Sequence, residues 1–189
     1  MTKHRINRTM VIETAVQYVN QHGLDALTLA AIAQTLDIKL PSLYNHISGI
    51  DDLYAALAAH GAQSLYRCCQ AAAVGRSGDE ALRTMADAYR DFIRQNPGIY
   101  AASLGLSTLP NPALEHANQD LMHLLTRVLE PYQLSPHDTI HVLRGLRSIV
   151  HGFSTLEATG TFALSVDTTD SFHTVMQWFI TSIASIPRI

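Results

Sequence analysis

The chain has 189 residues, 47% of them hydrophobic and 15% charged. That suits one domain, or a small module joined to a larger one, with room for a sizeable core. Net charge is −3, which gives no global sign of a nucleic-acid binder. No apolar run reaches the length of a membrane span, and the basic start MTKHRINRTM leads into no apolar h-region, so a cytoplasmic protein without membrane partners is expected. Charge is unevenly spread. Residues 1–50 are net +1, with Lys3, Arg5, Arg8 and Lys39 against Glu13, Asp25 and Asp37, and the remainder is net −4. The asymmetry is weak, but its direction fits a phosphate-facing module on an acidic body.

Helical periodicity dominates, and no strand run is convincing. A first helix is predicted over residues 8–22, with Ile12, Ala15, Val16 and Val19 as its apolar stripe. Gly23 closes it, and Leu24 makes the hydrophobic contact of the cap. Thr28 caps a second helix whose Leu29, Ile32, Ala33 and Leu36 share a face. A turn through Asp37 and Ile38 leads into a short segment, Leu40 to Ile47. Ser48, with Asp51 three residues on, opens a long helix to about Ala73 with Leu53, Leu57 and Leu65 on its stripe. Ser77 and Glu80 form a second capping box. The helix that follows buries Leu82, Met85, Ala86, Tyr89 and Ile93 and ends at Asn96–Gly98. A short helix around Tyr100 to Leu104 fades into a loop, Leu106 to Pro112. Asn111 then caps a helix with Pro112 at its first position, lined by Leu114, Leu121, Leu124, Leu125 and Val128. Ser135, Pro136 and Asp138 begin another that runs to Thr159, with Gly160 at its end. A last helix carries Phe172, Val175, Trp178, Phe179 and Ile183. The fold class is all-α.

The order helix, turn, short helix matters most. Leu36, Ile38, Leu43 and Ile47 can face a common core with Leu29 and Ile32, which holds the short segment rigid. Its other face then shows Lys39, Ser42, Asn45 and His46, with Tyr44 at the edge. No acidic residue stands between Asp37 and Asp51. A small polar face free of carboxylates at a helix start can enter a major groove. Asn45 can pair with an adenine edge, Ser42 with either kind of base, and the Pro41 ring can touch a thymine methyl. Packing remains an alternative role for Tyr44 and His46, and a solvated one for Lys39.

The stretch LTLAAIAQTLDIKLPSLYNHISGIDDLYAAL, Leu27 to Leu57, resembles the DNA-binding domain of the tetracycline-repressor (TetR) family. The matched residues are Thr28, Ile32, Ala33, Ile38, Leu43, Tyr44, His46, Ile47 and Ser48. Pro41 to His46 is similar to the tetracycline-repressor-like branch, and Val150 to Phe162 resembles the His-Gly region of one class of its ligand-binding domains. The resemblance implies a helix-turn-helix domain over 1–50, a ligand-binding and dimerisation domain over 51–189, and a non-enzymatic regulator that represses at a palindromic operator until a small molecule releases it. It implies that Thr28, Tyr44 and His46 contact phosphates and that Leu40, Pro41, Ser42 and Asn45 face bases. Two departures stand out. Asp37 replaces a common turn glycine, and Ile50 replaces a common phosphate-binding lysine, for which Lys3, Arg5 and Arg8 are expected to substitute.

In the second part, Gly145, Ser148, Gly152, Thr155 and Thr159 put small residues on one helix face. Such a face usually packs inside its own chain. The resemblance implies instead a homodimer through this helix and Thr169 to Ile186. It also implies a pocket for an unknown effector, with Tyr89, Tyr100, His151, Phe153, Glu157, His173, Met176 and Trp178 as candidate linings. His151 and Glu157 interrupt an apolar helix and can fix a polar ligand group. Three alternatives are a thiol sensor at the adjacent Cys68 and Cys69, a metal sensor using His137 and His141 or His116, Asp120 and His123, and a helical adaptor that no longer binds DNA. No cofactor or metal is assigned, and no GxSxG, HExxH, CxxC or Gly-rich phosphate loop occurs.

Overall fold

All the regular structure among the described residues of the computed structural model, 6–104 and 110–188, is helical. Lys3, Arg5 and most of the loop expected before Pro112 lie outside that range. In chain order the helices are α1 Arg8–His22, α2 Leu29–Thr35, α3 Leu40–Leu43, α4 Ile50–Ala73, α5 Gly78–Gln95, α6 Pro97–Ser103, α7 Pro112–Leu129, α8 Pro136–Ala158 and α9 Thr168–Ile183.

They divide into two compact units, Met1–Ser64 with Gln95–Ala117, and Leu65–Arg94 with Asn118–Ile189. The unit that contains the helix-turn-helix is therefore larger than residues 1–50, because it takes in most of α4 and all of α6. Its core gathers Val11, Ala15, Val19, Leu24, Leu27, Ile32, Leu43, Ile47, Leu53, Leu57 and Ile99. The stripe of α1 runs 11-15-19 rather than through Ile12 and Val16, which stay half-buried. Leu27, just before the Thr28 cap, is buried where Leu29 and Leu36 were expected.

The predicted caps form at most helix starts. Thr28 accepts the Ala31 N–H at 3.1 Å, Asn111 accepts that of Leu114 at 3.1 Å, and Ser135 accepts that of Asp138 at 3.1 Å. At α4 the partner of Ser48 is Asp52, not Asp51. Its carboxylate accepts the Ser48 N–H at 3.0 Å and the Ser48 hydroxyl at 3.1 Å. Helix α6 starts earlier than its sequence suggests because α1 caps it from outside. The Asn20 side-chain oxygen accepts the N–H groups of Gly98 at 3.0 Å and Ile99 at 3.1 Å. Gly98 allows this approach, since a Cβ there would overlap the carbonyl of Val19.

In the second unit, α5 buries Ala81, Leu82, Met85, Ala86, Phe92 and Ile93 together with Arg90, while α9 buries Phe172, Met176, Ile180 and Ile183. Trp178, expected on the α9 stripe, is 69% exposed. The small residues of α8 share one side of the helix, with Ser148, Thr155 and Thr159 exposed and Gly145 and Gly152 half-buried. Gly145 lies against the Phe179 ring, where a Cβ would come within 2.9 Å, whereas Gly152 has open space around it.

Candidate nucleic-acid interface

The reading face begins at the turn. Asp37 adopts φ +52°, the left-handed conformation that aspartate tolerates better than most residues. This lets the Ile38 N–H return to the Ala33 carbonyl at 3.0 Å. The regular helix that follows is only four residues long, and turns continue it: the N–H groups of His46 and Ile47 both reach the Leu43 carbonyl, at 2.9 and 3.1 Å. Leu43 and Ile47 are each 1% exposed. Burying these two anchors turns the residues around them outward. Lys39, Leu40, Pro41, Ser42, Tyr44 and Asn45 are exposed, and His46 is half-buried. Thr28, also exposed, stands at the start of α2. All eight residues marked from sequence for DNA binding thus lie in the first unit, seven of them consecutive but for the anchor Leu43.

Arg8 is not a free cation. Its guanidinium donates to both oxygens of Asp52, at 2.8 and 2.6 Å, and to the carbonyl of His46 at 3.0 Å. Arg8, seconded by Ser48, holds the Asp52 carboxyl well below the usual carboxylate range. Of the three basic residues expected to replace a missing phosphate contact, the one in view is committed to its own protein. Sequence spacing gave no signal of this pair, 44 positions apart.

The eight residues proposed to line a pocket are divided between the two units. Tyr100, 4% exposed, belongs to α6 in the first unit. In the second unit Met176 is core at 2% exposure, Tyr89 and His151 are half-buried, and His173 pairs with Asp87 at 3.0 Å. Trp178 borders an open groove of about 320 Å³ with Val166, Asp170, Ser171, Thr174 and Val175. Phe153 and Glu157 do meet, around a residue the sequence reading missed. Arg90, 4% exposed, donates through Nε to Glu157 at 2.8 Å and through Nη2 to the other Glu157 oxygen and to Thr169. Its guanidinium lies over the rings of Phe153 and Phe172, at 5.8 and 5.0 Å from their centres. Thr168 donates to Glu157 at 2.6 Å. The bond from Arg90, reinforced by Thr168, lowers the Glu157 carboxyl from 4.5 to about 2. An arginine at a helical apolar position was the available signal, since burial of that side chain requires a carboxylate partner.

Cys69 is buried, which pushes its thiol up to about 12, while Cys68 is exposed; a thiol so raised is a poor nucleophile at neutral pH. Among the described residues no group of three or more His, Cys, Asp or Glu could hold a metal ion, and no helix is long and apolar enough to cross a membrane.

An exposed, carboxylate-free segment anchored by two buried aliphatics after a left-handed turn defines a helix-turn-helix protein. Residues 11–57 match the family profile described as "Bacterial regulatory proteins, tetR family". Residues 82–179 match "Tetracyclin repressor-like, C-terminal domain". The uncharacterized HTH-type transcriptional regulator YobS of Bacillus subtilis (strain 168) is 32% identical over 179 residues, which span 94% of this chain and 93% of YobS. A protein with unknown function from Rhodococcus sp. RHA1 shares the fold at TM-score 0.83 and 19% identity, over 97% of this chain and 99% of that one. BioQ, solved with its natural double-stranded DNA operator, shares it at TM-score 0.69 and 20% identity, over 96% and 99%. The chain belongs to the TetR family of DNA-binding transcriptional regulators.

Proposed function

We propose that this regulator is a cytoplasmic repressor which grips a palindromic operator as a homodimer and lets go when a small molecule binds its C-terminal part. The observation that carries the reading is the exposed run Lys39 to His46 with its two buried anchors. Thr28, Tyr44 and His46 meet phosphates; Leu40, Pro41, Ser42 and Asn45 meet base edges, with Lys39 adding charge. BioQ on its operator shows a protein of this fold bound to duplex DNA. Functionally the division is a reading head over 1–50 and a responsive body over 51–189.

The chain passes between the two compact units within α4, after Ser64, and again after Arg94 and Ala117. A ligand that favours one arrangement of the body can thus shift the spacing of the two heads, and it releases DNA to the extent that it binds the released state better. Glu157 is held by Arg90, so a polar effector at this end of α8 meets an ion pair rather than a free carboxylate. Replacing Asn45 by alanine is expected to cost about 1–3 kcal/mol at one base pair in each half-site and little elsewhere. Binding measured on single-substitution operators checks this; a uniform loss across all sequences contradicts base reading by Asn45.

The dimer forms through the outer faces of α8 and α9. Ile140, Leu156 and Trp178 are 47%, 45% and 69% exposed in the single chain, and a second copy would take apolar side chains of this kind out of water. Trp178 is the sole tryptophan. Its emission is expected to shift to the red as the protein is diluted through the dissociation constant. Gly152→Leu should give folded monomers, since its Cβ meets nothing within the chain. Sedimentation of a dimer as stable as the original contradicts this interface.

A further inference from the structure

We infer that Arg8 and Asp52 are positioning residues for DNA reading: together they fix the C-terminal end of the recognition segment, and neither acts by touching DNA. Three elements meet at this pair. Arg8 is the first residue of α1, Asp52 lies in the first turn of α4, and the His46 carbonyl ends the exposed segment. One guanidinium spans the Asp52 carboxylate at 2.8 and 2.6 Å and the His46 oxygen at 3.0 Å. The same carboxylate takes both the N–H and the hydroxyl of Ser48, at 3.0 and 3.1 Å. His46 and Ser48 are thus held from opposite ends of one ion pair, on either side of the buried anchor Ile47. At the other end of the segment, Asp37 and Ile38 are held by backbone bonds to α2.

The side chains of Arg8 and Asp52 are 48% and 25% exposed. An ion pair that open to water adds little to global stability. What it supplies is geometry, because a planar guanidinium forks across two acceptors in fixed directions, which a lysine ammonium does not do. Displacing the end of the segment moves Tyr44, Asn45 and His46 together, and base contacts depend more sharply on placement than phosphate contacts do.

The inference rests on the DNA-binding reading, and its test separates positioning from direct contact by sign. DNA is a polyanion, so removing the Asp52 charge should strengthen binding if charge alone mattered. Positioning demands the reverse. Two variants, Asp52→Ala and Arg8→Lys, are measured against the original full-length protein on two probes. One is the duplex that the original enriches from a random pool; the other is a random-sequence duplex of equal length. Affinity for the enriched duplex is expected to fall about tenfold in both variants, the scale of one lost base contact. Affinity for the random duplex should hold or rise, and the salt dependence in Arg8→Lys should keep its slope. Selective binding by Asp52→Ala at or above the original, or by Arg8→Lys equal to it, overturns the inference.

Amide exchange at His46, Ile47 and Ser48, read without DNA, supplies the independent arm. It should quicken in both variants with little change in melting temperature. Unchanged exchange overturns the brace even if DNA selection holds, and a failure of the original protein to enrich any duplex counts against the regulator reading while exchange still decides the brace.

Discussion

Replacing Arg90 with methionine is expected to destabilise the second unit by about 3–5 kcal/mol, because it leaves the Glu157 carboxylate poorly exposed and without its partner. For a chain of this size that lowers the melting temperature by roughly 10 °C. Arg90 and Glu157 are only 4% and 12% exposed at the side chain. The pair also ties α5 to the end of α8 and, through Thr168 and Thr169, to the start of α9. Removing both charges should do less harm. Arg90→Met with Glu157→Leu fills similar volume with no buried charge and is expected to recover most of the loss. A double variant as unstable as Arg90→Met would show that arginine packing on Phe153 and Phe172, not charge pairing, carries the effect. The pH dependence has a definite sign. Glu157 is lowered from 4.5 to about 2, so its contribution is fully present above the ordinary value and disappears as pH falls toward 2. Denaturant unfolding followed between those limits should show that loss in the original and less of it in Glu157→Gln.

Gly98→Ala is expected to be nearly as damaging, at about 2–4 kcal/mol, although it adds one methyl group. The new Cβ would come within 2.7 Å of the Asn20 nitrogen and closer still to the Val19 carbonyl, all of them backbone atoms of α1. Backbone cannot swing aside as a flexible side chain does, so α6 must lift from α1 and the Asn20 cap on Gly98 and Ile99 is lost. Overpacking and orphaned donors then add. Asn20→Ala, which removes only the cap, should cost less. Amide exchange at Gly98 and Ile99 reports both changes, and an unaltered stability in Gly98→Ala would show that α6 does not depend on close approach to α1.

The helix-turn-helix was legible because its determinants are local. A Thr cap, an Asp that tolerates the left-handed turn, and aliphatics at 43 and 47 each act within a few residues of themselves. The contacts the sequence did not reveal join residues far apart: Arg8 with Asp52, Asn20 with Gly98, Arg90 with Glu157. Each required knowing which helices touch. Ala15 and Val19 of the α1 stripe are buried as their spacing predicts, but Val11 joins them in place of Ile12 and Val16, because these side chains are similarly apolar and only the neighbouring helices decide which is covered. The start of α6 was placed late because its cap comes from Asn20, another helix altogether. Helical spacing places Trp178 on the apolar stripe of α9, but it is 69% exposed, while Phe172, Met176, Ile180 and Ile183 are buried, because the neighbouring helices decide which side of α9 is covered.

The most direct measurement mixes the purified full-length protein with duplexes carrying a random core and sequences what it retains at moderate salt. Residues 28–47, presented twice by a two-fold dimer, should enrich one inverted repeat with half-sites about one helical turn apart or a multiple of it. Retention of sequences no different from the starting pool would contradict a reading head at these residues.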